Sequence, residues 1–377
     1  MNNIICIVTH VSIADGSDIA GPAHTLVRYF EREKKPFLFI RHSIIGRRIS
    51  IMTTYDGKKS KTTKIEDARA EMEVIRRLKE GITTLRFVWR LSAPISVYIG
   101  VDPLNSFWGF VLLHMGKVRK LVVFSADYSV RRYKNNLLDK LYYSLDRLTS
   151  RSAKAVLAVS DRILDVRKKE GIHSEKLICI PNSPSVKSVN KYRSKSLDPT
   201  KLIMIGILQR DPQFEYFLRA IKTVAKKYPK ILLTVVGIGQ GEQQIRMLVQ
   251  DYGLGKHVKL LGPMSHEKLF ELIGKNGVGV ALYTDDSARY FSDSMKARDY
   301  LALGLPTIIT GDLGTSVEID RYGAGIWANQ TEQSFTDALV ELMSMRRKYE
   351  TYHQNALRLS KMRDSDNAIR RLLAVVA

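Results

Sequence analysis

The stretch Tyr290–Pro306, YFSDSMKARDYLALGLP, places the strongest constraint on the fold. It predicts a polar loop, then a helix of about three turns, then an abrupt stop. Gly304 and Pro306 form the stop signal, because glycine closes helices and proline cannot continue them. Short polar side chains cap helix starts by accepting hydrogen bonds from free backbone N–H groups. The candidates for this cap are Ser292, Asp293 and Ser294.

Lys296 and Asp299 lie three residues apart, so both project from one face of this predicted helix. A helix N-terminus beside a lysine suits a phosphate group, because free N–H groups and the helix dipole both favour an anion. A carboxylate one turn further on can accept hydrogen bonds from sugar hydroxyls. The segment alone equally allows a capped surface helix in which Lys296 and Asp299 form an ion pair.

The order Lys-x-x-Asp-Tyr-Leu-Ala-x-Gly-x-Pro, ahead of the apolar run Thr307–Ile309, resembles the nucleotide-sugar motif of the GT-B glycosyltransferases. It is most similar to the large retaining group known as group 1, or family 4. The region from Lys201 to Gly311 also repeats the order of strands, glycine turns and helices of that family's donor domain. The resemblance covers roughly a third of the chain in detail and is looser in the N-terminal half.

The resemblance implies an α/β protein of GT-B fold, with two doubly wound Rossmann-like domains that face each other across a cleft. We expect an acceptor-side domain over residues 1–185 and a Ser/Lys/Pro-rich linker over residues 186–200. The nucleotide-sugar-binding domain is expected over residues 201–356. The last helix, about residues 357–377, is expected to pack back on the first domain.

On the donor side, family members usually carry an arginine and a lysine that grip the diphosphate after the first strand. This chain has Ile207 and Pro212 at those places, and Arg210 is the nearby candidate to substitute. The Gly237-x-Gly239-x-Gly241 pattern is by itself a weak dinucleotide signal, and the next strand ends without the acid that NAD requires. The predicted donor-binding residues are Gly206, Arg210, Gly237, Gly239, Gly262, Asp293, Ser294, Lys296 and Asp299.

On the acceptor side, the strand Ile4–His10 is followed by a glycine-bearing loop and a helix opened by Pro22, the usual start of a doubly wound domain. The resemblance makes Gly21 and His24 candidate acceptor-side residues, although His24 could equally be a solvated helix histidine. Asp127 lies where the strand in KLVVFSADYS ends, and the resemblance implies a place close to the transferred sugar, because family members often carry a His or Asp here. The basic residues that follow could receive an anionic acceptor: Arg131 and Arg132, with Lys134.

The charge of the chain is large and uneven. Residues 1–200 hold 36 Lys and Arg against 19 Asp and Glu, a net +17, and residues 201–377 hold 24 against 19, a net +5. A basic N-terminal half indicates an anionic partner, and the absence of nucleic-acid reading motifs favours a membrane surface or an anionic acceptor over nucleic acid. Aromatic and basic runs near Trp89 and Trp108 suit a bilayer, although the run around Trp108 also predicts a buried helix that covers the sheet.

Other segments predict further elements and exclude further chemistry. Residues 46–64 indicate a surface hairpin or loop, and a helix is expected around Ile65–Lys79. Asp364-Ser365-Asp366 precedes a helix and is expected to cap it, so no metal site and no cofactor are predicted. Two cysteines in apolar runs and a start without a basic leader indicate a cytoplasmic protein, with possible attachment to the inner face of the membrane.

These observations predict a hexosyltransferase that moves a sugar from a nucleotide-diphosphate sugar to a cell-surface glycan or lipid-linked acceptor, with retention and without a metal. The predicted catalytic residues are Asp127, Lys296 and Asp299. Two alternatives stay open: a non-catalytic GT-B partner subunit, which the missing Arg/Lys clamp favours, and another sugar-nucleotide enzyme such as an epimerase. An epimerase needs acid/base groups on both sides of the sugar, and the sequence offers only Asp127.

Overall fold

The computed structural model describes residues 4–14, 17–18, 21–44, 48–67, 72–194, 196–286 and 289–377. The chain divides into two compact units of α/β structure. Unit 1 comprises Met1–Asn182 and Ser365–Ala377, and unit 2 comprises Ser183–Asp364. Among the described helices, none combines the length and the apolar character needed to cross a membrane.

Unit 1 is built on an eight-stranded sheet with the order β10-β9-β8-β7-β1-β4-β5-β6. Its strands from β10 to β4 are parallel, and β5 and β6 extend the sheet as an antiparallel hairpin. The strands are β1 (Ile5–Val11), β4 (Phe37–Ser43), β5 (Arg48–Tyr55), β6 (Ser60–Asp67), β7 (Ile95–Val101), β8 (Val118–Ser125), β9 (Ala155–Ala158) and β10 (Leu177–Cys179), with a separate pair β2 (Ile13–Ala14) and β3 (Ser17–Asp18). The helices are α1 (Pro22–Arg32), α2 (Glu73–Trp89), α3 (Pro103–His114), α4 (Asn136–Ser152) and α5 (Asp161–Lys169).

Unit 2 is built on a six-stranded, wholly parallel sheet with the order β13-β12-β11-β14-β15-β16. The strands are β11 (Lys201–Ile205), β12 (Leu232–Val236), β13 (Val258–Leu261), β14 (Val278–Ala281), β15 (Thr307–Ile309) and β16 (Gly325–Trp327). The helices are α6 (Val186–Val189), α7 (Pro212–Ala225), α8 (Glu242–Asp251), α9 (His266–Ile273), α10 (Met295–Ala302), α11 (Gly314–Arg321), α12 (Glu332–Ser344) and α13 (Arg346–Met362). The inner strands β11, β12, β14 and β15 are buried over most of their length, because helices cover both faces of a parallel sheet.

The hairpin predicted within residues 46–64 is confirmed over its described part, since β5 and β6 pair from Tyr55–Ser60 to Arg48–Asp67. Residues 46 and 47 lie outside the described residues. The helix expected around Ile65–Lys79 was misplaced: β6 runs to Asp67 and α2 begins at Glu73. The charged sequence of β6 is accommodated because it forms the edge of the sheet, where its side chains stay in solvent.

The boundaries of the units differ from the expected ones in two places. Residues 186–200, where we expected a linker, lie in unit 2, and Val189 and Leu197 within them are buried in its core. The C-terminal region contains two helices in succession, α13 and then α14 (Ser365–Val376). Only α14 belongs to unit 1, where it contacts α1, β9 and β10.

Asp366 lies in the first turn of α14 and forms an ion pair of 2.6 Å with Arg32 on α1. Its carboxylate therefore anchors the C-terminal helix to unit 1. No group of three or more His, Cys, Asp or Glu side chains among the described residues could hold a metal ion.

Candidate active site

A pocket of about 240 Å³ opens in unit 2 beside the carboxyl ends of β11 and β14, the edge at which doubly wound sheets hold their ligands. It is lined by Met204, Ile205, Gly206, Ile207, Leu208, Gln209, Asp211, Phe214, Ile245, Leu282, Tyr283, Thr284, Arg289 and Lys296. Gly206 has a φ of +144°, which side chains rarely adopt, and a Cβ at Gly237 would lie 1.9 Å from the carbonyl oxygen of Gly206. These two glycines allow the loops after β11 and β12 to approach each other closely.

Helix α10 begins at the edge of this pocket. Ser294 is its N-cap, with the hydroxyl accepting a hydrogen bond of 3.2 Å from the backbone N–H of Ala297. The Ser294 hydroxyl also lies 2.7 Å from the Tyr283 hydroxyl. Gly304, at a φ of +82°, follows the helix, so the predicted cap and stop signals are confirmed, although the helix has 8 residues and not three turns.

Lys296 lies mostly buried on the first turn of α10, with its ammonium in the pocket. The Nζ atom is 4.2 Å from the centre of the Tyr283 ring and 3.4 Å from the carbonyl oxygen of Leu282. Burial, with a further contribution from Arg289, lowers the pKa of Lys296 to about 8. Within the described part of the chain no carboxylate forms an ion pair with Lys296, so the alternative of a Lys296–Asp299 surface pair is not observed.

The carboxylate of Asp293 is buried beside Arg298 and does not line the pocket, although Asp293 lies just before the start of α10 in sequence. It is buried, and its Oδ1 accepts hydrogen bonds from Nε (3.0 Å) and Nη2 (2.7 Å) of Arg298 and from the Thr315 hydroxyl (2.7 Å). Arg298 also donates to Glu318 at 2.8 Å. We expected Asp293 at the helix start as a donor-binding residue, but the structure places its carboxylate in a buried ion-pair cluster, because the buried guanidinium of Arg298 needs counter-charges and Asp293 and Glu318 supply them.

The other predicted donor residues are spread around the same sheet edge. Gly239 packs against the backbone of Leu208, where a Cβ would lie 2.2 Å from the carbonyl oxygen, and Gly262 follows β13 with open space beside it. Asp299 is half-buried, one turn after Lys296. Arg210 is exposed and does not line the pocket, whereas Arg289, which sequence reasoning missed, does.

Unit 1 has a pocket of about 360 Å³ at the carboxyl ends of β1, β7 and β8. It is lined by Thr9, His10, Val11, Ser12, Gly21, Pro22, Ala23, His24, Ile44, Val101, Asp102, Ala126, Asp127 and Arg132. The structure therefore brings together four of the predicted residues of this side: Gly21, His24, Asp127 and Arg132. Arg131 lies outside the lining, and its guanidinium donates to the carbonyl oxygen of Lys134 and to Oδ1 of Asn136, both at 2.7 Å.

Two of these residues already have partners. The Nδ1 atom of His24 accepts a hydrogen bond of 3.0 Å from the backbone N–H of Gly21, so the ring helps to fix the start of α1. The ring also packs edge-on against Phe39 at 5.5 Å between centres, which does not fit the alternative of a solvated histidine. The exposed carboxylate of Asp127 accepts a hydrogen bond of 2.7 Å from Arg132.

His10 is the main residue of this pocket that sequence reasoning missed. It is the last residue but one of β1, with Nδ1 2.6 Å from Oδ2 of Asp102 and Nε2 3.0 Å from Oε2 of Glu80. Burial alone would lower the pKa of His10, but the two carboxylates outweigh it and raise the pKa to about 9. The imidazolium is thus held between two carboxylates, and Arg76 and Arg77 donate to Glu80 from the same helix.

The comparisons with known proteins agree with this architecture. Residues 188–358 match the family described as glycosyl transferases group 1. The resemblance to the group 1 glycosyltransferases of GT-B fold that the sequence predicted is therefore confirmed over these residues. No curated protein sequence matches the chain significantly.

Solved structures of similar fold cover nearly the whole chain. A sucrose-phosphate synthase from Thermosynechococcus elongatus is 12% identical, covers 99% of this chain and 98% of its own, and gives a TM-score of 0.68. An E. coli structure described as trehalose-6-phosphate bound with UDP-2-fluoro glucose is 12% identical, with coverage of 99% of both chains and a TM-score of 0.68. The pneumococcal O-GlcNAc transferase GtfA, in complex with UDP and GlcNAc, is 13% identical, covers 100% of this chain and 98% of its own, and gives a TM-score of 0.64. At this identity the likeness shows the fold, which is GT-B with two Rossmann-like domains.

Proposed function

We propose that this chain is a glycosyltransferase that takes a sugar from a nucleoside-diphosphate sugar and transfers it to an acceptor hydroxyl. The observation that carries the proposal is Lys296, a buried ammonium without a carboxylate partner among the described residues, at the N-terminus of α10 in the unit 2 pocket. A cation held in this way is stabilised by the arrival of an anion. The UDP bound in several structures of the same fold supports a uridine nucleotide as the first probe.

In this proposal the diphosphate lies against the loop after Gly206 and the start of α10, between Lys296 and Arg289. The sugar leaves with a nucleoside diphosphate whose developing charge must be stabilised, and two buried or half-buried cations and a helix N-terminus serve that purpose. Asp299, one turn beyond Lys296, is assigned to the ribose hydroxyls. Arg289 takes the place that we gave to Arg210 from the sequence.

The acceptor is assigned to the unit 1 pocket, where Asp127 and Arg132 meet the region of His10 and His24. Polar and charged lining suits a hydroxyl-rich glycan or the phosphate-bearing head of a lipid-linked acceptor. The net +17 of residues 1–200 favours an anionic acceptor and peripheral attachment to an anionic membrane at its inner face. We propose on this basis that the chain acts in the synthesis of cell-envelope polysaccharide.

We propose that transfer retains the anomeric configuration. Asp127 is the one carboxylate predicted beside the sugar, and it is exposed and engaged by Arg132, which suits an orienting residue better than a general base. The departing phosphate can take the acceptor proton as the new bond forms on the face that it vacates. Asp127→Asn should then slow transfer without abolishing it, whereas loss of an essential base costs about 10²–10⁴-fold.

Nucleotide release from UDP-sugars, with and without candidate acceptors, tests the activity. A transferase gives acceptor-dependent release of UDP, whereas an epimerase converts the sugar without release and a partner subunit is silent. NMR of the product from an α-linked donor then tests retention. A β product together with an inactive Asp127→Asn variant would make Asp127 the general base of an inverting enzyme.

A further inference from the structure

Three neighbouring helices of unit 1 present apolar side chains to solvent. We define the α2–α4 surface as the exposed faces of α2, α3 and α4 with the loop before α4. It includes every exposed large hydrophobic residue described in unit 1 except Ile44 and Ile65. Its members are Met72, Val74, Ile75, Leu78, Ile82, Trp89, Met115, Val130, Leu137, Leu138, Leu141 and Leu148.

Helix α2 forms one side of this surface, and its pattern is the reverse of an ordinary surface helix. Ile75, Leu78, Ile82 and Trp89 follow helical spacing along one face, and all four side chains are exposed. The helix buries Glu80, together with the small residues Gly81, Thr83 and Thr84, and the apolar residues Phe87 and Val88 only near its end. An exposed apolar stripe on a helix marks a contact that the isolated unit does not make.

Helix α4 forms the other side, with Leu138, Leu141 and Leu148 at the same spacing on its exposed face. Helix α3 contacts both neighbours and forms the floor, where Trp108 packs so tightly against Gly81 of α2 that a Cβ would overlap the ring. A groove of about 410 Å³ lies between the helices. Its lining is dominated by Met72, Val74, Leu78, Leu104, Phe107, Trp108, Leu138, Leu141 and Leu145.

The charged residues around this surface are mainly basic. Residues 72–90, 103–117 and 126–152 together contain twelve Lys and Arg against five Asp and Glu. Two of these five carboxylates are buried in ion pairs: Glu80 pairs with Arg76 and Arg77 of the twelve cations, and Asp146 pairs with Arg167 outside these segments, so ten Lys and Arg remain against three Asp and Glu. Lys117 lies 4.7 Å over the ring of the exposed Trp89, which places a cation beside an aromatic at the rim.

We propose that the α2–α4 surface docks this chain on an anionic lipid bilayer. Exposed apolar side chains enter the boundary between headgroups and acyl chains, and the basic residues around them meet anionic headgroups. A second copy of the chain fits less well, because two such surfaces would bring their positive charges together. Charge complementarity therefore selects the bilayer as the occupant.

Docking at this surface would bring lipid-linked acceptors close to the unit 1 pocket, an argument that rests on the proposed function. Residues of the apolar groove and of the unit 1 pocket lie close together along the chain: Asp102 lines the pocket and Leu104 the groove, and Arg132 lines the pocket and Tyr133 the groove. A bilayer seated on the α2–α4 surface would thus lie beside the pocket assigned to the acceptor. A lipid-linked acceptor could reach the pocket with its head while its chain stayed in the membrane.

Flotation of the full chain with phospholipid vesicles tests the proposal, using pure phosphatidylcholine and an equal mixture of phosphatidylcholine and phosphatidylglycerol. We compare Leu78→Gln/Leu141→Gln with Met247→Gln/Met362→Gln, two residues of unit 2 with the same exposure. The exposed fractions are 53% and 54% in the first pair and 58% and 53% in the second. We expect about a tenfold or larger loss of partitioning onto the anionic vesicles in the first variant, because burial of each side chain in lipid is favourable, and no change in the second.

Equal partitioning of both variants would overturn the proposal, and so would equal binding of the native chain to the two kinds of vesicle at low salt. Sedimentation of the native chain and both variants without vesicles tests whether the surface instead binds a second copy of the chain. A native dimer that the Leu78/Leu141 variant does not form would assign the surface to self-association and overturn the proposal of bilayer docking. Circular dichroism checks that the variants are folded. UDP binding is measured on the same samples, so a failure of the proposed function is distinguishable from a failure of docking.

Discussion

Each of the two units places a cation near the carboxyl edge of its parallel sheet, but only the cation of unit 1 has carboxylates in contact with it. In unit 1, His10 lies between the carboxylates of Asp102 and Glu80, and its pKa is raised to about 9. In unit 2, Lys296 faces the Tyr283 ring and a backbone carbonyl, and its pKa is lowered to about 8. A cation with its counter-charges built in stabilises the fold. A cation without ion pairs destabilises the fold through its desolvation, and an anionic ligand that binds to it offsets this free energy.

A third cation in the same helix as Lys296 strengthens this comparison. Arg298 lies two residues further along α10, is 3% exposed and is fully paired with Asp293 and Glu318. The two cations of this short helix differ in their ion pairs: Arg298 has two carboxylate partners, whereas Lys296 forms no ion pair among the described residues and feels only the more distant charge of Asp211. The comparison predicts that removing a paired cation destabilises the protein, whereas removing the unpaired one does not.

The largest expected effect is that of Arg298→Met. The variant removes the buried ion pair with Asp293 and one of the two ion pairs of Glu318, which keeps Arg363 at 2.6 Å, and breaking a buried pair costs about 3–5 kcal/mol of unfolding free energy. Urea denaturation followed by circular dichroism measures it. Arg246→Met is the matched control, because it removes an exposed pair with Glu242 and should cost less than about 1 kcal/mol. Similar losses in the two variants would contradict the structural role of the buried cluster.

His10→Gln is expected to lower the unfolding free energy by about 2–3 kcal/mol at pH 6, with a defined dependence on pH. The folded-state pKa of His10, about 9, lies above the ordinary value of 6.5. Its stabilising contribution is therefore complete below pH 6.5 and is lost as the pH rises through 9. The difference between native protein and variant should shrink over that interval, whereas replacing the exposed His173 by Gln should give a small, constant difference.

Lys296→Met should have the opposite sign and raise the unfolding free energy by about 1–3 kcal/mol at pH 7. The folded-state pKa of Lys296, about 8, lies below its ordinary value of 10.5, so folding disfavours the charged form. The cost is complete below pH 8 and fades between pH 8 and 10.5, and so should the gain of the variant. Lys275→Met removes an exposed lysine and serves as the control. A destabilised Lys296→Met variant would show that Lys296 is as structural as Arg298.

The sequence predicted the parts of the fold that depend on local pattern. Buried apolar runs identified the parallel strands, and the cap at Ser294 and stop at Gly304 located α10. The start of the helix expected around Ile65–Lys79 was misplaced, because the polar residues up to Asp67 extend β6 through pairing with β5. Residues 186–200 were expected to be a linker but belong to unit 2, because apolar residues among them, such as Val189, are buried in a core formed by distant segments.

The candidate site divides in the same way. Lys296 was a candidate from the sequence because the motif around it is local. The structural role of Arg298 could not be predicted in this way, because it depends on an ion pair with Glu318, twenty residues away. His10 meets Glu80 and Asp102 across 70 and 92 residues, and no local pattern announces that. A usable signal did exist, since His10 is the last residue but one of a parallel strand and Asp102 directly follows another, and the carboxyl ends of such strands share one edge.

The affinity for UDP should depend on pH through the protonation of Lys296, and this dependence tests whether the unpaired ammonium binds the ligand. The charged ammonium binds the diphosphate, and its free-protein pKa is about 8. Affinity should therefore be constant just below pH 8 and fall by about tenfold per pH unit above it, with proton uptake on binding. Isothermal titration calorimetry in buffers of different ionisation enthalpy measures both quantities. Lys296→Arg should bind without this dependence, because arginine stays protonated.

The smallest expected effect concerns the second cation of the donor pocket. Arg289 lines the pocket and lies 5.3 Å over the Tyr283 ring, whereas the exposed Arg210 lies outside the lining although the sequence favours it. A charged hydrogen bond to phosphate contributes about 1.5–3 kcal/mol, and the partial exposure of Arg289 places its share toward the lower end, about tenfold in affinity.

Arg289→Gln and Arg210→Gln are matched in chemistry, so the ratio of their dissociation constants for UDP isolates the effect of position. We expect about tenfold weaker binding for Arg289→Gln and unchanged binding for Arg210→Gln. The reverse result would assign the second cation to the loop after β11. Equal, small losses would leave Lys296 as the dominant cation and make the unpaired ammonium the main determinant of diphosphate binding.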